Sequence, residues 1–179
     1  MARVSIKNVD RLTQRFNKIA NMELRSTMNE AVKLVHGQAK ALAPVGISGD
    51  LAGSIKMKVK DTGKELQGRV YTNKKYAMYV EFGTGIKGDG TYPYEIDGLN
   101  LTYESEPWFI PASKMDAETA ERYHFQKVYG KNGAEYYICY GQEAQPYMYP
   151  ALKENEKTIK RMFKDGVKTK LKENCRGGQ

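Results

Sequence analysis

Apolar residues change their spacing several times along this chain, and that succession of periods limits the fold more than any other property. Val9, Leu12, Phe16 and Ile19 recur at helical spacing behind the candidate caps Asn8 and Asp10. Leu24, Met28, Val32, Val35, Ala39 and Leu42 form a second helical series, with Asn21 as a cap between the two and Ala43-Pro44 as the stop. After a turn at Ser48-Gly49-Asp50-Leu51 the period drops to two. Ile55, Met57 and Val59 alternate with Lys56, Lys58 and Lys60, which is a strand with one apolar and one basic face. Asp61-Thr62-Gly63-Lys64 turns it into a hairpin whose return places Leu66, Val70 and Thr72 inside and Gln67, Arg69 and Tyr71 outside.

Tyr76–Gly85 is apolar and aromatic but too short for periodicity to choose helix or strand. Residues 86–121 show no sustained period and read as a long excursion with at most short strands, Trp108-Phe109-Ile110 among them. A second hairpin follows, with Tyr123, Phe125 and Tyr129 outbound, Gly130-Lys131-Asn132-Gly133 at the turn, and Tyr136, Ile138 and Tyr140 returning. Pro150 then opens a helix lined by Leu152, Ile159, Phe163, Val167 and Leu171, ahead of a tail at 174–179 that should fray. The expected fold is α+β: two N-terminal helices, a central antiparallel sheet of hairpins with a long insert, and one C-terminal helix.

A chain of 179 residues at 40% hydrophobic and 28% charged is an ordinary globular composition, long enough for one self-sufficient core. Cys139 and Cys175 give no disulfide framework, no apolar run approaches a bilayer span, and the start lacks a secretory signal; cytosol-like surroundings are expected. The net charge of +8 is unevenly placed: residues 1–42 carry 8 bases against 3 acids, residues 153–179 carry 9 against 4, and residues 88–121 carry 8 acids with Lys114 alone. The basic ends read as solvated helix faces or as contacts to phosphate or an acidic partner.

Chemistry is sparse. Gly83-Thr84-Gly85-Ile86-Lys87-Gly88 matches a dinucleotide-type glycine string, but Asp89-Gly90-Thr91-Tyr92-Pro93 follows where a phosphate-binding helix would have to open, so a tight structural turn is expected. His36 and His124 have no His or Cys at ligand spacing; they read as a helix-face residue and an exposed strand residue. Ser48, Ser54 and Ser105 lack nucleophile-elbow surroundings, Cys139 sits in an alternating strand, and the acids of the insert lack the ladder of a calcium loop. No cofactor, metal or catalytic residue is expected. Thirteen tyrosines, crowded into 71–149 with Trp108, suit burial between subunits as well as within one. Lys56, Lys58, Lys60 and Arg69 form a candidate face for DNA or a neighbouring subunit, against a solvated or protected sheet face.

Three motifs occur in order: Ala43-Pro44 with Ser48-Gly49-Asp50-Leu51 and Ser54-Ile55; Tyr76-Ala77 with Val80-Glu81-Phe82-Gly83-Thr84-Gly85; and Gln145-Pro146-Tyr147-Met148-Tyr149-Pro150-Ala151-Leu152. Together they resemble the tail-completion or head-tail joining proteins of long-tailed bacteriophages, typified by the tenth gene product of a lambdoid phage, over roughly residues 5–85 and 143–170. Ser48 and Tyr147 stand where the family usually has Thr and Phe, and the stretch between the second and third motifs is longer than compact members require.

The resemblance implies one head-tail joining domain over 1–179 with an elaborated insert at about 86–142. It implies a non-enzymatic virion assembly protein at the head-tail junction, made in the host cytoplasm, whose partners are connector and tail proteins, other copies in a homo-oligomeric ring, and packaged DNA at a channel. It marks Pro44, Gly49, Leu51, Ser54, Tyr76, Ala77, Glu81, Phe82, Gly83, Thr84, Gly85, Pro146, Pro150, Ala151 and Leu152 as structural or assembly residues. The rival reading from another class is a basic nucleic-acid-binding protein outside the virion, with tyrosines stacking on bases and lysines on phosphate.

Overall fold

The protein is described by a computed structural model over residues 9–46, 49–62 and 65–176, with side chains over 24–46, 49–62, 65–169 and 172. It forms two compact units, Met1–Asn73 with Tyr147–Gln179, and Lys74–Pro146.

In the first unit the two expected N-terminal helices are one, α1 (Val9–Leu42). The reason is legible afterwards: Phe16, Ala20, Leu24, Met28 and Val32 form an unbroken i, i+4 row past Asn21, and no Gly or Pro interrupts it. The helix ends where expected, with the Ala43 amide bonded to Ala39 O at 3.0 Å just before Pro44. A five-residue helix, α2 (Asp50–Ser54), stands where a turn was expected; Gly49 precedes it at φ 62°. Ser48 lies outside the described residues.

Strands β1 (Lys56–Asp61) and β2 (Leu66–Tyr71) pair antiparallel from Lys56↔Tyr71 to Asp61↔Leu66. Thr62 and Glu65 close the connection, the Thr62 amide donating to Glu65 O at 3.0 Å; Gly63 and Lys64 lie outside the described residues. Helix α1 packs on this hairpin. Gly68 permits the approach, since a Cβ there would lie 2.4 Å from Val32 Cγ2 and 2.6 Å from Met28 Sδ.

The single C-terminal helix is two, α6 (Met148–Lys153) and α7 (Glu156–Arg176). Gln38 of α1 straddles their junction: its amide nitrogen donates to Glu154 Oε2 at 2.5 Å, and its oxygen accepts from Asn155 Nδ2. Asn155 Nδ2 also donates to Ala151 O at 2.8 Å, so a local side-chain bond competes for the carbonyl that simple helix continuation would use. Ala39 and Ala151 are fully buried where α1 meets α6, whereas Leu152, expected on the inner side, is 54% exposed. Residues 174–176 continue α7, and 177–179 lie outside the described residues, as do the side chains of Leu171 and Cys175.

The second unit holds α3 (Ala77–Phe82), the single turn α4 (Gly85–Gly88), β3 (Trp108–Pro111), a 3-10 turn at Ala112–Lys114, α5 (Ala117–Arg122), β4 (Gln126–Tyr129) and β5 (Glu135–Cys139). The hairpins, expected in one central sheet, form two separate ones: β1 pairs with β2, and β3 joins the second hairpin, antiparallel in the order β3-β5-β4. Tyr137 and Cys139 of the central strand are its buried residues, while Tyr136 and Ile138, read as the alternating series of the returning strand, are half-buried and Tyr140 is exposed.

The outbound strand begins at Gln126 rather than Tyr123, because α5 occupies the preceding residues. Asp116 starts that helix by accepting from the Thr119 amide at 2.7 Å. His124, expected on a strand, ends it at φ 53°, with its amide bonded to Glu121 O at 3.0 Å and the Phe125 amide to Ala120 O at 2.8 Å. This is the left-handed helix stop usually taken by glycine.

Candidate assembly site

The second motif lies wholly in the second unit, where α3 delivers it to a backbone crossing. Thr84 exchanges two bonds with Gln142, its amide donating to Gln142 O at 2.9 Å and its carbonyl accepting from the Gln142 amide at 3.0 Å. The Lys87 amide reaches Tyr140 O at 3.0 Å, the Gln145 amide reaches Val80 O at 2.8 Å, and Gln142 Nε2 donates to Tyr79 O at 2.8 Å.

Close approach of two backbones explains the glycines. A Cβ on Gly83 would lie 2.8 Å from Ala144 N, one on Gly85 2.7 Å from Tyr140 O, and one on Gly141 only 1.8 Å from Thr84 O. The glycine string thus meets the protein's own chain at 140–144, as a structural turn. Gly88, the last glycine of the string, completes the crossing with Gly141 and Gln142, which the sequence reading passed over; the signal available was a glycine just beyond the β5 run.

Around this crossing Ala77 and Glu81 are buried at about 5% exposure, and Tyr76 stands exposed. Phe82 packs edge-on against Tyr92 at 5.0 Å between ring centres, and its carbonyl accepts from Tyr103 Oη at 2.8 Å. Burial, and after it the negative charge of Asp89, raises the Tyr103 phenol above its ordinary pKa.

The first motif is brought together separately, in the first unit. Leu51 is buried, and Ser54 Oγ lies 2.8 Å from Leu51 O and 2.6 Å from Thr72 Oγ1, joining α2 to the end of β2. His36 Nε2 sits 3.0 Å from Ile55 O, so this helix-face histidine fastens α1 to the start of the hairpin. Pro44 is half-buried beyond α1. The third motif straddles the unit boundary: Pro146 ends the second unit, while Tyr147, Pro150 and Ala151 are buried in the first.

The basic residues of the hairpin share one face. Register sets Lys58 directly opposite Arg69, Lys56 opposite Tyr71 and Lys60 opposite Gln67, and all four cations are exposed. Arg69 Nη2 donates to Gln67 Oε1 at 2.9 Å, and the three lysines form no ion pair among the described residues. Like charges directly opposed across a strand pair are destabilising, so the Lys58 and Arg69 pairing carries an electrostatic cost on this face.

Elsewhere charge is paired locally. Lys127 donates to Glu135 Oε2 at 2.9 Å, which raises its pKa, and Lys160 and Lys153 hold the Glu156 carboxyl below its usual range. Among the described residues no group of three or more His, Cys, Asp and Glu side chains is placed to hold a metal ion, and no helix is long and apolar enough to cross a membrane.

Fold and surfaces describe an α+β scaffold whose motif residues fix backbone crossings and joins. Residues 5–83 match the HK97-gp10-like family, described as "Bacteriophage HK97-gp10, putative tail-component". The match spans 79 of the 179 residues, takes in the first motif and the second as far as Gly83, and supports a phage structural role. The family is one of structural tail components and not a known enzyme family. Neither comparison with curated proteins nor comparison with solved structures returned a match.

Proposed function

We propose that this protein is a non-enzymatic component of a long-tailed phage particle that acts at the head-tail junction, as a tail-completion or neck protein, through contacts between subunits. The observation that carries the reading is the tail-component match over residues 5–83, joined by a third motif at 145–152 beyond the matched stretch. In this reading connector and tail proteins are its partners, copies of it stand in a ring, and its place is the virion. The exposed Lys56, Lys58, Lys60 and Arg69 face borders a neighbour or the DNA channel, with α1 packed against the hairpin's other face at Gly68. The whole chain acts as one joining domain, residues 86–142 being an elaboration upon it.

The test is electron microscopy of a lysate from a phage or prophage lacking this gene. Unjoined DNA-filled heads and finished tails, or tails defective at the head-proximal end, are expected; intact infectious particles would refute the assignment. The unpaired basic face also favours a second reading, a nucleic-acid-binding protein outside the virion. Micromolar binding to short DNA that weakens steeply with salt would support it, and no binding at low salt would remove it.

A further inference from the structure

Residues 90–103 of the second unit line an open basin of about 460 Å³, with Tyr92, Tyr94, Tyr103, Glu95, Asp97 and Leu99 among its walls. It lies within the stretch 88–113, which carries five acids (Asp89, Glu95, Asp97, Glu104, Glu106) and no Lys, Arg or His. Its wall is an aromatic series: Tyr92 and Tyr94 meet edge-on at 5.7 Å between ring centres, and Tyr92 meets Phe82 in the same way. Tyrosine faces attract a cation within about 6 Å of the ring centre, and Glu95 and Asp97 of the lining supply the opposite charge.

The chain itself carries the complementary surface. The first unit holds 22 basic against 10 acidic residues, the second 7 against 11. On the first unit the row Lys56, Lys58, Lys60 projects at strand spacing, alternate residues about 6.8 Å apart, opposite Arg69 and without an ion pair among the described residues. We infer that the tyrosine-walled acidic basin at 90–103 is a docking site for the basic hairpin face of a second copy of this chain. The contact is head-to-tail, one copy's basin receiving lysines from the next, and it deepens the subunit-contact reading above, on which it rests. Charge complementarity of this kind sets the register of two copies and speeds their encounter.

The test is sedimentation velocity of the purified full-length protein at low and high salt. Expected for the wild type is self-association at low salt that weakens as salt rises. Asp97→Lys with Glu95→Lys, both at exposed positions, should weaken association at least about tenfold; so should Lys56→Glu with Lys58→Glu and Lys60→Glu, and Tyr94→Ala should weaken it at unchanged charge. Mixing the two charge-reversed proteins one to one should restore association, because each then offers the face the other lacks. Circular dichroism of each variant keeps loss of fold apart from loss of contact. Association unaffected by the basin variants would overturn the basin as the docking site and leave subunit contact standing. A wild type monomeric at low salt would overturn the self-contact itself.

Discussion

Gly141 sits at φ 90°, and a Cβ there would fall 1.8 Å from Thr84 O, inside the bonded crossing of Thr84 and Gln142. Nothing flexible can give way. Gly141→Ala should therefore destabilise the second unit by about 3 kcal/mol or more, whereas Gly90→Ala, with φ 69° but open space around it, should cost only about 1 kcal/mol. Urea unfolding followed by Trp108 fluorescence separates the two costs.

His124 is the opposite case, a side chain borne in the left-handed region where glycine is at ease. Replacing it by Gly should raise stability by about 1 kcal/mol, and a loss of that size would show the imidazole to be anchored. Asp116 accepts from the Thr119 amide and hydroxyl, and the first of these bonds contributes most to lowering its pKa from the ordinary 3.8. A depressed carboxyl stabilises the folded form above the unfolded value and loses that contribution as pH falls through the folded one. The Thr119 amide resonance should thus titrate with a midpoint below 3.8, and the α5 start should loosen only in that acid range.

At the scale of elements, the α1 and α6 contact depends on small side chains. Ala151 is fully buried while its neighbour Leu152 is 54% exposed. Ala151→Leu should overpack the contact and cost about 1–3 kcal/mol, and Leu152→Ala should change stability by less than about 0.5 kcal/mol. Thermal melts of both variants check the assignment of faces, and a reversed order would return the helix to the phase that its leucine spacing suggests. The break between α6 and α7 has no proline or glycine to announce it. Gln38, more than a hundred residues away in sequence, bonds both Glu154 and Asn155 there, and that partner is invisible to a local window.

The molecule as a whole divides between two compact units with opposite charge balance and different reporters. Trp108 is the one tryptophan of the chain and lies in the second unit; the long helices α1 and α7 lie in the first. Denaturant unfolding read by Trp fluorescence and by far-ultraviolet circular dichroism should give two non-coincident transitions. Coincident curves would mean that the units unfold as one. The proposed phage structural role belongs to this scale too, since it rests on the matched stretch as a whole and on no single residue.

Sequence by itself determined the mixed α+β class, the Lys56–Tyr71 hairpin with its basic face, the β4 and β5 pairing, the stop at Pro44 and the family resemblance. Each is written in nearest neighbours: a period of two or 3.6, a turn residue, a proline, a short string. Tertiary structure alone decided where Tyr76–Gly85 became helix, that Thr84 crosses Gln142, and that the hairpins form two sheets. It also decided that Gly68 opens the way for α1, and that Tyr137 and Cys139 rather than Tyr136 and Ile138 are buried. These follow from packing between segments about 25 to 65 residues apart or from whichever face a neighbour happens to cover, and the alternation along β5 fits either choice.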